Sequence, residues 1–306
     1  GTPLAEIEAA LAAEGQMLPF EPMDHRALLG TDGTPTIGGV VAANVSGPRR
    51  VQAGACRDSL IGVRFVDGEG RVLKNGGRVM KNVTGYDLVK LMAGSYGTLG
   101  VLSEVSFKVL PRTGGEATLK AEGLSNEAAV RAMAAALGSP FEVSGAAHHA
   151  GSGTTWLRLE GFESSVDYRT GQLLERLAAH GDWARDDAAG TWAAVRDVSA
   201  FAGQTGDVGR VSAKASDAPG LVARAEAEDA LMDWGGGLIW LRVPAGTDLR
   251  ARLGAFGGHA TLIRADDVTR AAIPVFQPED SPLRALAEGL RRQFDPKGIL
   301  NPGLMG

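Results

Sequence analysis

Cysteine is almost absent. Cys56 is the only one in 306 residues, so an intrachain disulfide is excluded, and so is a cysteine-ligated iron–sulfur cluster held by this chain alone. Positive charge is not in excess: 31 Lys and Arg stand against 36 Asp and Glu, for a net charge of −5. That leaves no electrostatic footprint for nucleic acid. No apolar run approaches the roughly 18 residues a membrane span needs, and no basic start followed by an apolar core marks a signal peptide. The single cysteine fits a reducing compartment, and any membrane association is expected to be peripheral or through a partner. Repeats and low-complexity tracts are missing too. What remains is the balance of a globular protein, 44% hydrophobic and 22% charged.

The pattern along the chain is α+β. Thr2 before Pro3 reads as a helix start, with Thr2 as cap and Pro3 as the first helical residue. Leu4, Ile7 and Leu11 line one face of that helix, and Gly15 stops it. The stretch from there to Pro48 reads as loops with short strands. A hairpin follows, from Ile61 to Val66 and from Arg71 to Lys74, around Asp67-Gly68-Glu69-Gly70. A short helix is predicted from Tyr86 to Met92. A strand from Val101 to Leu110 places Val101, Val105, Phe107 and Val109 on one side. Beyond Pro111, strands from Thr155 to Leu159 and from Leu238 to Val243 alternate with Ala-rich helices. Those are predicted from Ser125 to Leu137, Ser164 to Ala179 and Pro219 to Ala230, with a last helix from Pro282 to Phe294. Such alternation predicts an antiparallel sheet with helices packed on one face.

Three motifs carry chemistry. Thr36-Ile37-Gly38-Gly39, continuing through Asn44, Ser46 and Gly47 to Pro48-Arg49-Arg50, pairs glycines whose bare backbone can press on a flat ring or a phosphate. On its own this is an ordinary tight turn before a helix. Gly54-Ala55-Cys56-Arg57-Asp58 ends a loop in a carboxylate beside a guanidinium, in isolation a surface ion pair. Gly94-Ser95-Tyr96-Gly97-Thr98-Leu99-Gly100-Val101-Leu102 holds too many glycines for a regular element, which implies close approach of its backbone to something else.

Taken in order, with Leu300-Asn301-Pro302-Gly303 at the end, these segments resemble the FAD-binding (PCMH-type) domain of the vanillyl-alcohol-oxidase superfamily. Within it, Gly47-Pro48-Arg49-Arg50, Val79 to Leu88, Gly94-Ser95-Tyr96-Gly97 and Gly258-His259-Ala260-Thr261-Leu262 are similar to the FAD-binding subunits of bacterial glycolate oxidases. The resemblance implies a partial FAD-binding domain over residues 1–112, corresponding to its second subdomain. It further implies an α+β cap or substrate domain over 113–270 and a C-terminal segment, 271–306, returning to the first. It assigns Thr36, Ile37, Gly38 and Gly39 to the pyrophosphate and flavin. Ser46, Gly47 and Asp58 fall along the ribityl chain or ring edge, Gly100, Val101 and Leu102 on the adenine or ribose side, and Asn301 at the flavin edge. The family's Arg-Gly-Gly-Gly-type loop does not precede Thr36. The chain is therefore expected to be shortened at its N-terminus and to bind FAD weakly or not at all by itself. The implied partners are a sister flavoprotein subunit, an iron–sulfur subunit and a small 2-hydroxy acid, with glycolate oxidised to glyoxylate. The alternatives are a non-catalytic FAD-binding or scaffold subunit, or a self-standing dehydrogenase for D-lactate or another 2-hydroxy acid.

Single residues offer three catalytic candidates. Arg49 and Arg50 have the fork that holds a carboxylate, although a solvated loop explains them equally. His259 titrates near neutrality and suits acid–base work, although a structural histidine is the plainer reading. His148 and His149 are adjacent, so on a strand they face opposite ways and cannot chelate together; no metal site is expected. Cys56 reads as an inert buried thiol. Lys81 and Asn82 either approach the cofactor or cap the short helix.

Overall fold

A computed structural model of the chain describes residues 1–78 and 85–305. Residues 79–84, with Lys81 and Asn82, and Gly306 lie outside the described residues. The first helix, Leu4–Ala13, begins with Pro3 as its cap rather than Thr2. Thr2 is drawn away because its carbonyl accepts the Ile37 amide (3.1 Å), beside a bridge between Pro3 and Thr36. Gly15, at φ +64°, ends the helix. Between it and Pro48 the expected strands shrink to Gln16–Met17, paired with Leu110–Pro111. The rest of that stretch holds two short helices, Arg26–Leu29 and Ile37–Ala42. Helices of four to six residues are too short to show a 3.6-residue period; the Thr36 side chain caps the second, and Gly30 in the left-handed region ends the first.

The hairpin Leu60–Val66 and Val72–Gly76 is joined by Val101–Phe107 in a three-stranded antiparallel sheet. Its core is built on Phe20, Val41, Leu60, Phe65 and Met92, all at most 1% exposed. Val101 does not share the buried side with Val105 and Phe107. The register shifts between Arg64 and Phe65, and Val101 ends 61% exposed. Gly100 lies where a Cβ would sit 2.6 Å from the Phe65 ring and 3.0 Å from the Val66 carbonyl oxygen. Gly100→Ala is therefore expected to cost about 1–3 kcal/mol by overpacking, read from the urea midpoint.

The larger sheet has eight strands, all antiparallel, in the order Gly258–Arg264, Asp207–Ala213, Leu238–Val243, Asp229–Asp233, Gly145–His149, Thr154–Gly161, Gly115–Ala121, Trp183–Asp186. Strand alternation gives it two apolar faces. Along Leu238–Val243, Ile239, Leu241 and Val243 join a core under the helices Asn126–Leu137, Glu163–Leu177, Ala218–Ala225 and Leu249–Leu253. Leu238 and Trp240 face the other way, toward Met23, Leu28, Val198 and Phe201. The second face is thus sealed by the N-terminal segment and the turn after the Thr191–Arg196 helix. The helix expected to reach Ala230 stops at Ala225, with Glu226 in the left-handed region (φ 47°). Asp229–Asp233 instead pairs with strands on both sides, so its alanine was a poor guide: strand pairing overrode helix propensity.

Candidate functional site

Thr36 is extended and caps the Ile37–Ala42 helix, its Oγ1 accepting from the Gly39 amide at 3.4 Å. The paired glycines are therefore the first turn of a helix, not a loop before one. Ile37 turns its side chain into the core at 6% exposure. A Cβ on Gly38 would meet nothing within 4 Å, and one on Gly39 only the Thr36 hydroxyl. Open backbone at a helix start suits an anionic group approaching closely.

The far end of this helix is tied to the second glycine motif. Val41 and Ala42 carbonyls accept the Gly94 and Tyr96 amides at 3.0 and 2.8 Å. Gly94 and Gly97 adopt φ +87° and +70°, and Tyr96 between them is also left-handed at +52°. The Asn301 amide donates to the Tyr96 carbonyl at 2.6 Å, so the C-terminal Asn-Pro-Gly does return to this loop. The close approaches that the glycines imply are to the chain itself: Gly97 to Asn301, and Gly100 to the Leu60–Val66 strand. Gly47 is likewise buried against the Glu21 backbone. The Ser46 hydroxyl accepts from the Cys56 amide at 2.9 Å, and exposed Asp58 accepts from the Ala55 amide at 2.8 Å, closing its own turn. Leu102 is half-buried beside exposed Val101.

A cationic cluster stands beside Tyr96. Arg210 lies on the Asp207–Ala213 strand, directly opposite Trp240 and Thr261 on the two flanking strands. His259, two residues from Thr261, shares its face. The Arg50 guanidinium carbon sits 4.3 Å from the centre of the Trp234 ring, and that of Arg210 lies 5.4 Å from Trp234 and 6.0 Å from Trp240. Trp234 is pinned by its indole N–H donating to the Gly47 carbonyl (2.9 Å) and by its amide donating to Asp233 (2.7 Å). Tyr96 meets Phe276 edge-on at 4.7 Å. Burial, then the charges of Arg210 and Arg50, lower the His259 pKa below its usual 6.5, so the ring is neutral at neutral pH. Burial, then Arg210, does the same to His25.

Arg49 is not part of that cluster. It is 5% exposed and paired with Glu160, so the structure spends it on an internal ion pair rather than on an open carboxylate site. Burial raises the Cys56 thiol pKa to about 12, leaving it inert at neutral pH. His148 is buried against Thr155 and Asn126, its pKa pushed down to about 4 by burial. His149 points the other way, to Ser152 and Asp229. Among the described residues no group of three His, Cys, Asp or Glu side chains is arranged to hold a metal. A cavity of about 310 Å³ opens elsewhere, lined mainly by Trp156, Val195, Leu231 and small residues.

Arg210 and Trp234 escaped the sequence reading, which had Tyr96 only as part of a glycine motif. Two signals pointed to them. Arg210 interrupts the apolar Val208–Val211 stretch, and Asp233-Trp234-Gly235-Gly236-Gly237 is a capped, glycine-rich turn presenting an aromatic ring.

The FAD binding domain family matches residues 1–76. The chain is 40% identical to the glycolate oxidase subunit GlcE of Escherichia coli (strain K12), over all of this chain and 80% of that protein. The glycolate oxidase subunit GlcD of Bacillus subtilis (strain 168) is 41% identical over 28% of this chain and 18% of its own length. Among solved structures, alkyldihydroxyacetonephosphate synthase superposes with a TM-score of 0.65 at 14% identity. The VAO-type flavoprotein MtVAO615 from Myceliophthora thermophila gives 0.59 at 13%. The chain spans 62% and 64% of those two proteins, which share its fold. The open first turn at Gly38 and Gly39 leaves room for the phosphates of FAD, with the Gly38 amide as donor, since the Ile37 and Gly39 amides already bond to Thr2 and Thr36. No helix among the described residues is long and apolar enough to cross a membrane. Sequence identity along its whole length places the chain among the FAD-dependent oxidoreductases, in the family of the glycolate oxidase subunit GlcE.

Proposed function

We propose that this chain is the FAD-binding subunit of a complex that oxidises glycolate to glyoxylate and passes the electrons on through a sister flavoprotein and an iron–sulfur subunit. Peripheral attachment to the inner membrane would come through those partners. The observation that carries this reading is the cationic cluster holding a neutral imidazole, beside a Tyr96 loop that is tied to the far end of the helix opening at Gly38 and Gly39. FAD, when bound, supplies a two-electron acceptor for the substrate carbon. Thr36, Gly38 and Gly39 would hold its phosphates, with Ser46, Gly47, Asp58, Gly100, Val101, Leu102 and Asn301 along the remaining length. Domain limits near residues 112 and 270 belong to the same proposal.

The chain's own contribution to chemistry is a proton acceptor. His259 makes no ring hydrogen bond among the described residues, and the neighbouring arginines keep it unprotonated. It can therefore take the substrate hydroxyl proton as the carbinol carbon is oxidised. In the assembled full-length complex, His259→Asn is expected to lower kcat for glycolate-dependent dye reduction by about 10²–10⁴-fold, with flavin content unchanged. Because the His259 pKa is depressed, activity should hold as pH falls to 6.5 and decline below it. Equal rates for wild type and variant across that range would place the base in another subunit. Flavin absorbance of the full-length protein, with and without added FAD, tests the cofactor assignment. Gly38→Val is expected to weaken FAD binding at least about tenfold by filling the open first turn.

A further inference from the structure

We infer that Arg210, supported by Arg50, is the anchor for the carboxylate of a small 2-hydroxy acid, at a site walled by Trp234. The inference rests on the functional reading above and deepens it by naming the group that selects the substrate.

Two guanidinium groups share one indole, yet neither makes a hydrogen bond or an ion pair to any described residue. Elsewhere in the molecule the inward-facing arginines are spent. Arg49 pairs with Glu160, Arg158 with Glu21, and Arg169 holds three backbone carbonyls. Like charges brought together in a half-buried place raise each other's cost unless an anion joins them. The groups facing Arg210 are Tyr96, His25, His259 and Arg50, and none is an acid ionised at neutral pH. The acid whose charge acts on Arg50 is Asp58, exposed and engaged with the Ala55 amide.

The site is held rigidly. Arg210 sits mid-strand between two paired strands, so its backbone is fixed, and Trp240 lies directly across from it. Trp234 is held at both its indole and its amide. A planar guanidinium on an aromatic wall offers its fork to a planar carboxylate. His259 lies across from Ser212 on the neighbouring strand, on the same face, where it would meet a hydroxyl attached next to that carboxylate. Sequence adjacency had paired Arg49 with Arg50. The fold replaces Arg49 with Arg210.

The test is calorimetric titration of the full-length protein with oxalate, a non-reacting mimic of glycolate, and separately with inorganic phosphate. Flavin absorbance is recorded on the same samples. Arg210→Met is expected to weaken oxalate binding about 30-fold or more and Arg50→Met about 5–10-fold, with Arg210→Lys between wild type and Arg210→Met. Far-ultraviolet circular dichroism checks folding, and Arg210→Lys with Arg50→Met decides the matter if Arg210→Met fails to fold. Oxalate affinity unchanged by these substitutions overturns the proposal, as does a site that takes phosphate and refuses oxalate. Wild-type protein that holds flavin but binds no oxalate sinks this inference alone. Protein that binds oxalate through Arg210 without flavin sinks only the cofactor assignment. If neither binds, both are overturned.

Discussion

Arg158→Met is expected to lower the free energy of unfolding by about 3–5 kcal/mol, among the largest single effects in the chain. Arg158 is 2% exposed and forks onto Glu21, with 2.8 Å to each oxygen. Its Nε reaches Ser144 and Glu160 at 3.2 Å, and its guanidinium lies 4.7 Å from the Trp192 ring centre. Glu160 also accepts from Ser144 at 2.5 Å and pairs with Arg49. Glu21 accepts the Arg49 amide at 2.8 Å. Two arginines and two glutamates thus interlock the N-terminal segment with the Thr154–Gly161 strand. Removing Arg158 leaves buried Glu160 and half-buried Glu21 short of a cation, which costs more than the intact pair contributes. Burial alone would raise the Glu21 pKa, but hydrogen bonds and charge from Arg158, with Arg49, hold it below the usual carboxylate value. A depressed folded pKa means the contribution is full above the unfolded value and is lost as pH falls through the folded one. Urea unfolding of wild type, Arg158→Met, Glu21→Gln and the double variant checks this. The double variant should lose much less than the sum of the singles. Strict additivity would show that the four side chains do not act as a unit.

Asp233→Asn is expected to stabilise the protein above pH 7 and to leave it nearly unchanged near pH 4. Asp233 is 3% exposed, and burial raises its pKa from 3.8 to about 7, against a lowering from the Trp234 amide. A carboxyl raised in the folded state makes the fold most stable below the unfolded pKa. That advantage disappears as pH climbs from about 4 to about 7 and stays lost above. The shift corresponds to roughly 3–5 kcal/mol at alkaline pH, of which asparagine should recover about 2–3, because its carbonyl can accept the same Trp234 amide. Urea midpoints at pH 5 and pH 8.5 decide it, and equal differences at both would refute the assignment. The residue matters beyond stability, since it fixes the turn that presents Trp234 to Arg50 and Arg210.

The sequence by itself determined what is local. Leu238 to Val243 is apolar but for Arg242 because one strand face meets helices and the other meets the N-terminal segment, and a short apolar run of that length reads as a buried strand. The Ala-rich run from Ser125 to Leu137 announced a helix, and Thr36-Ile37-Gly38-Gly39 announced glycine backbone able to press on a flat ring or a phosphate. A single cysteine fixed what the chain cannot carry, an internal disulfide or a cluster of its own. Order along the chain was enough to mark the FAD-linked family, because glycines such as Gly94, Gly97 and Gly100 sit where a turn or a close packing demands them. Tertiary structure decided what depends on partners far apart in sequence. Arg49 and Arg50 are adjacent, yet one meets Glu160, 111 residues away, and the other meets Trp234. Asp229–Asp233 became a strand because two neighbours had open edges to pair, which no helix propensity could outweigh. Arg210 came to face His259 and Trp234 only when three strands and a turn closed around it. A charge acquires its role from the groups that surround it, and those are set by the fold.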